Sequence, residues 1–151
     1  MWGDLSVGII LVIEDNLDNY DLLAELLSTR HNVVPALTGS EGMTKAKSLR
    51  PDLIFLDMSI PEINGWELVV EFRKYPPLTQ TPVVAVTAHA MPGDREKCLR
   101  AGCTHYKTKP INVREIRLLV DQCLSEIHSG FAGTGLLINP EAVERKDHET
   151  V

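Results

Sequence analysis

The chain of 151 residues is about the size of one domain, too short for two ordinary ones and a linker. With 44% hydrophobic and 24% charged residues it is globular in composition, able to bury roughly 68 to 70% of its unfolded surface without disulfides or metal. A net charge of -6 argues against holding nucleic acid or an anionic membrane by bulk electrostatics, and the three cysteines, Cys98, Cys103 and Cys123, read as reduced thiols of a cytoplasmic protein.

Residues 1–6 form an N-terminal extension with no basic signal-peptide region, and the apolar run Val7 to Ile13 is too short to span a bilayer. That run reads as a first strand. A helical stripe follows at Tyr20, Leu23, Ala24 and Leu27, then a strand at Asn32 to Leu37 and a helix over Ser40 to Leu49, stopped by Pro51. The third strand is Asp52 to Asp57, and its helix, Gly65 to Tyr75, carries Trp66, Val69 and Val70 and stops at Pro76. A fourth strand, Pro82 to Ala88, leads to a helix that opens at Pro92, places Asp94 and Glu96 in its first turn and closes at Gly102. A weaker fifth strand, Thr104 to Thr108, precedes a last helix with the stripe Val113, Ile116, Val120, Cys123 and Ile127. From Ser129 the chain turns to Ser, Gly, Ala and Thr, which reads as a flexible C-terminal tail over 129–151.

Strand and helix alternate five times, which calls for a parallel sheet with helices on both faces, because parallel neighbours need right-handed crossovers. In such a doubly wound α/β fold reactive groups stand beyond the carboxyl ends of the strands. Glu14 and Asp15 follow the first strand, Asp57 ends the third, Thr87 and Ala88 end the fourth, and the fifth runs into Lys109 and Pro110. Carboxylates that converge repel by about 4 kcal/mol per pair near 4 Å at an effective dielectric near 20, so a cation belongs among them. A few hard oxygen ligands suit Mg²⁺, Lys109 adds a second positive charge and Thr87 a neutral donor. The set suits a dianionic phosphoryl group arriving beside an aspartate.

These residues in this order resemble the receiver domains of two-component response regulators. The resemblance spans about residues 7 to 127 and rests on Glu14-Asp15-Asn16, on Asp57 with Met58-Ser59-Ile60-Pro61 and Gly65, on Thr87-Ala88, and on Tyr106-Lys107-Thr108-Lys109-Pro110. It implies a flavodoxin-like (βα)5 fold with strand order 2-1-3-4-5 and a receiver domain over 7–128. It also implies that Asp57 accepts a phosphoryl group from a histidine kinase or histidine phosphotransfer protein, a carboxylate acting as nucleophile. Glu14, Asp15, Asp57 and the backbone carbonyl of Ser59 would hold Mg²⁺, Lys109 would pair with the phosphoryl group and Thr87 would hydrogen-bond it. The resemblance further implies that Tyr106 swings inward as Thr87 moves, changing the surface made by the fourth and fifth helices and the fifth strand. The Lys109-Pro110 peptide is expected to be cis, and Ser59 and His89 to influence how long the phosphoryl group survives.

Glu14 replaces the commoner Asp at the first acidic position, and the tail is too short for a DNA-binding output module of about 60 residues or more. The expected protein is therefore a stand-alone signalling switch, not an enzyme, that meets a protein target through the mildly basic stretch from His89 to Ile127; a receiver excised from a hybrid kinase is the alternative. Self-association stays open. An aspartyl phosphohydrolase would place a proton-donating Asp two residues beyond the nucleophile, where Ser59 stands. A flavodoxin-like cofactor binder would cradle phosphate after the first strand, where Glu14 and Asp15 would repel it. The group Cys98, Cys103 and His105 leaves a metal one ligand short and reads as packing.

Overall fold

The structure, a computed structural model, describes residues 7–133, with side chains to residue 125. The elements run β1 (Ile9–Ile13), α1 (Leu17–Leu27), β2 (Asn32–Ala36), α2 (Gly39–Leu49), β3 (Leu53–Asp57), α3 (Gly65–Lys74), a 3₁₀ turn (Pro76–Leu78), β4 (Val83–Thr87), α4 (Asp94–Ala101), β5 (His105–Thr108) and α5 (Val113–Gly133). All four strand pairings are parallel, in the order β2-β1-β3-β4-β5. The order reverses beside β1, which opens a crevice at the carboxyl ends of β1 and β3.

Strands this apolar are buried on both faces, and their side chains alternate between two cores. Leu11, Ile13, Ile54, Leu56, Val83 and Ala85 point toward α2, α3 and α4, where Ala46, Leu68, Phe72 and Cys98 meet them. Ile10, Val12, Phe55, Val84 and Val86 point the other way, toward Leu23 and Leu27 of α1 and Ile116, Val120 and Leu124 of α5. Burying a side chain such as Phe72 completely contributes about 1.5 to 3 kcal/mol.

The helices begin where short polar residues can cap them. Asn16, Thr38, Asn64 and Asn112 accept backbone N–H groups of Asn19, Glu41, Trp66 and Glu115 at 2.8 to 3.1 Å. Glu41 answers by accepting the N–H of Leu37 at 2.8 Å, so donors on both sides of Thr38 are satisfied. Gly102, at φ +122, ends α4 by turning the chain so that the N–H groups of Gly102 and Cys103 reach Cys98 O. Arg73 fastens this corner to the turn before β4: its guanidinium donates to Gly102 O at 2.7 and 3.1 Å, to Leu78 O at 2.7 Å and to Thr81 O at 2.8 Å.

Several sequence expectations shift. Helix α4 opens at Asp94 with Gly93 as its cap, rather than at Pro92, because Gly93 takes the left-handed φ of +90 there. The buried face of α3 is Leu68, Val69 and Phe72, with Val70 39% exposed and Trp66 half-buried, so the stripe expected through Trp66, Val69 and Val70 is rotated toward solvent. Val113 is likewise exposed, while Ile116, Val120 and Cys123 are buried. Helix α5 continues to Gly133, so residues 129–133, which composition reads as linker, are helical; helical hydrogen bonding overrides their weak propensity. The rest of the expected tail, and the side chain of Ile127, lie outside the described residues. Among the described residues no helix is long and apolar enough to cross a membrane.

Candidate functional site

Glu14, Asp57, Thr87 and Lys109 meet at the carboxyl edge of the sheet because each ends or follows a strand in register with its neighbours. Lys109 is placed by its own N–H donating to Thr87 O at 2.8 Å, which continues the β4–β5 ladder one residue further. Its ammonium lies 3.2 Å from Glu14 Oε1 and 3.2 Å from Asp57 Oδ2. The other oxygen of each carboxylate faces its own turn: Glu14 Oε2 accepts the N–H of Asn16 at 3.2 Å and Asp57 Oδ1 that of Ser59 at 2.9 Å. Thr87 repeats the pattern, its Oγ1 accepting the N–H of His89 at 3.2 Å. That bond uses an oxygen lone pair and leaves the hydroxyl proton free to be donated.

Glu14, Asp57 and Thr87 are buried, whereas Asp15 is exposed at the lip. Oxygens of Glu14, Asp15 and Asp57 lie within 4.8 Å of one another, and among the described residues no other group of acids, histidines and cysteines comes close enough to hold a metal. Burial pushes the Glu14 carboxyl above its ordinary value, and Asp57 pushes the same way through a hydrogen bond and charge, while the Asn16 N–H and Lys109 oppose. Burial alone would lower Lys109, but the charges of Asp57 and Glu14 outweigh it and raise the amine. Three carboxylates thus cluster about one ammonium that pairs with two of them. An all-oxygen donor set with surplus negative charge fits a hard divalent cation such as Mg²⁺.

Tyr106 is buried with Cys98, Cys103 and Val69 on the α3–α4 side of the sheet, and its hydroxyl has no hydrogen-bond partner. Burial raises its phenol. Ala88 and His89 are exposed beyond Thr87, and Lys109-Pro110 is a cis peptide. Cys98 and Cys103 are buried neighbours, with Cys98 on α4, so they pack as the ligand count suggests. What sequence reasoning missed is the use of backbone: Asn16, Ser59 and His89 serve the site through their N–H groups. The signal was their common position, two residues beyond a strand-end oxygen.

The response regulator receiver domain model matches residues 10–121. The chain belongs to that family. The polar-differentiation response regulator DivK of Brucella anthropi is 36% identical over 105 residues, covering 69% of this chain and 85% of that protein. The receiver domain of the sensor histidine kinase PA1611 of Pseudomonas aeruginosa, solved with a magnesium ion coordinated in its active-site cleft, is 29% identical with a TM-score of 0.72, over 79% of this chain and 98% of that one. The Vibrio cholerae chemotaxis protein CheY4 shares the fold, with a TM-score of 0.72 at 23% identity over 78% of this chain and 98% of that one. The receiver domain is thus a two-component signalling module with the CheY-like order of five parallel strands.

Proposed function

We propose that Asp57 is the phosphoacceptor of a two-component phosphorelay. An oxygen of Asp57 attacks the phosphorus of a phosphohistidine on a sensor histidine kinase or histidine phosphotransfer protein. The new O–P bond forms as the P–N bond breaks, and its electron pair returns to the imidazole. The observation that carries this reading is the Lys109 ammonium held 3.2 Å from Asp57 beside two further carboxylates. That arrangement is electrostatically incomplete until more positive charge arrives.

Glu14, Asp15, Asp57 and the carbonyl of Ser59 would hold Mg²⁺, which when bound neutralises charge on the transferring group. Lys109 orients the incoming phosphoryl oxygens by charge-assisted hydrogen bonds, and Thr87 donates its free proton to one of them. Drawing Thr87 toward the phosphoryl group moves the end of β4 against Tyr106. The change is read by a protein target on the surface of α4, β5 and α5, where Arg100, Arg114 and Arg117 are exposed. Ser59, two residues beyond Asp57, offers no carboxyl proton donor, which speaks against a phosphohydrolase. A cytoplasmic setting is part of the proposal and is supported by three free thiols.

Incubation with acetyl phosphate and Mg²⁺ followed by intact mass tests the assignment. One added phosphoryl group is expected, absent in Asp57→Asn and absent when Mg²⁺ is chelated. A folded protein that gains none, or an Asp57→Asn variant that still gains one, overturns it. The likeness to kinase receiver domains, 29% identical in PA1611, supports a second reading in which this domain belongs to a hybrid kinase; the extent of the encoding reading frame separates the two.

A further inference from the structure

We propose that the outer face of α3 docks a basic, amphipathic helical segment of a partner protein. A groove of about 390 Å³ runs along this face, floored by Ile63, Trp66 and Val70. Trp66 and Val70 lie one turn apart on α3 and Ile63 adjoins them from the loop before the helix, so together they form an apolar strip that a second helix can match. Trp66 is only half-buried and Val70 is 39% exposed, although Phe72 of the same helix is fully buried. The helix therefore has an inner apolar face that holds the core and an outer one left open. A partly exposed tryptophan framed by smaller apolar side chains is the kind of anchor that concentrates binding energy.

The rim decides the partner's chemistry. Glu67 and Glu71 line the groove one helical turn apart. Among the described residues Glu67 makes no ion pair or hydrogen bond. Glu71 pairs with Lys74 at 3.1 Å, but both side chains are more than half exposed, and such a pair contributes at most about 1 kcal/mol and is easily exchanged. An acidic or uncharged partner would desolvate Glu67 without a counter-charge, whereas lysine or arginine flanking an apolar stripe would supply one. The Lys97 ammonium of α4 already sits 4.9 Å from the indole centroid, so the two glutamates, and not the ring face, are what call for the partner's positive charge.

The groove is lined by one segment that leaves the candidate site, and its tryptophan meets a second. Ile63 lies in the loop between Asp57 and α3, and Lys97 lies on α4, which follows Thr87. An occupant would therefore bear on α3 and the loop before it, with Lys97 of α4 at the edge, and not on β5 or α5. The proposal concerns the unmodified protein and stands whether or not Asp57 accepts a phosphoryl group.

The test uses the full chain and a synthetic leucine–lysine amphipathic peptide about 15 residues long, long enough to be helical when bound. Calorimetry should show binding, and amide chemical shifts should move at residues 63–71. Charge reversal by Glu67→Lys with Glu71→Lys, and separately Trp66→Ala, should each weaken binding by about tenfold or more. Asp18→Lys with Asp21→Lys, an equal charge change on exposed positions of α1, should change affinity by less than about twofold. Absence of binding, shifts centred elsewhere, or equal losses in the α1 and α3 variants would overturn the proposal. So would a peptide-independent dimer that Glu67→Lys with Glu71→Lys disperses, since that would give the groove to a second copy.

Discussion

Lys109→Met keeps most of the side chain's length and removes the one ammonium shared by the site. Each of its contacts, at 3.2 Å to Glu14 and to Asp57, amounts to about 5 kcal/mol at an effective dielectric near 20, an upper figure because the amine is 20% exposed and regains desolvation energy when removed. A lower ceiling comes from Glu14. Glu14 is already above its ordinary value of 4.5 through burial and the nearness of Asp57, and losing the amine removes one of the two influences that oppose this rise, so taking up a proton is the route by which the carboxyl escapes the lost pairing. Each pH unit above that value costs about 1.4 kcal/mol, so holding a proton on Glu14 at pH 7 would cost about 3.4 kcal/mol relative to the unfolded chain, which caps the loss by this route. The variant should lose about 2 to 3 kcal/mol at pH 7 in chelator, lowering Tm by roughly 4 to 12 °C for a domain of this size. The sign of the pH dependence follows from the raised carboxyl. Native Glu14 binds its proton more tightly than the unfolded chain does, so stability falls as pH rises above 4.5 and the deficit narrows on going back down. Urea titrations in EDTA at several pH values, followed by far-UV circular dichroism, measure both, and added Mg²⁺ should restore part of the loss. A variant as stable as the parent at pH 7, or a deficit that does not change with pH, would refute the reasoning.

Arg73→Met should cost about 2 to 4 kcal/mol in a urea titration, because it strips donors from the carbonyls of Gly102, Leu78 and Thr81; Arg73→Lys should recover little, since an ammonium cannot reproduce the fork. Tyr106→Phe removes a buried hydroxyl that has no partner, so thermal melts should show unchanged stability or a gain of up to about 1 kcal/mol. Gly42→Ala would put a Cβ 2.6 Å from Ile13 Cδ1, and the forced shift of α2 should outweigh the better helix propensity of alanine, for a net loss of about 1 to 2 kcal/mol in the same assay.

Most of the fold was legible because the strands are short, apolar and regularly interrupted. Leu53 to Leu56 and Val83 to Val86 are apolar throughout, as strands covered on both faces must be. The outer face of α3 was harder. Trp66 and Val70 lie at helical spacing with Val69, and periodicity cannot tell an apolar stripe that enters the core from one beside it. Only the placement of Phe72 and Leu68 against β3 and β4 decides that. Arg73 could not be read either, since its partners are carbonyls of residues up to 29 positions away and a carbonyl has no signature in sequence. The carboxylates and Lys109 were legible as a group because a parallel sheet brings strand ends to one edge whatever the intervening helices contain.

What the sequence could not convey is how little freedom that edge retains. At Glu14, Asp57 and Thr87 the same local device recurs, a side-chain oxygen accepting the amide two residues ahead. In both carboxylates this assigns one oxygen to the chain's own turn and leaves the second for Lys109, so the pair is divided by geometry before any ligand arrives. Side chains fixed in this way need no ordering when a phosphoryl group approaches, and preorganised charge costs no rearrangement at the moment of reaction. The same division ties the turns to the site. The amides that hold these oxygens belong to Asn16, Ser59 and His89, which open the segments that lead to α1, α3 and α4. The sheet edge is thus joined by three side-chain-to-backbone hydrogen bonds to the segments that precede α1, α3 and α4, a short path from the site's oxygens to three helices on the surface.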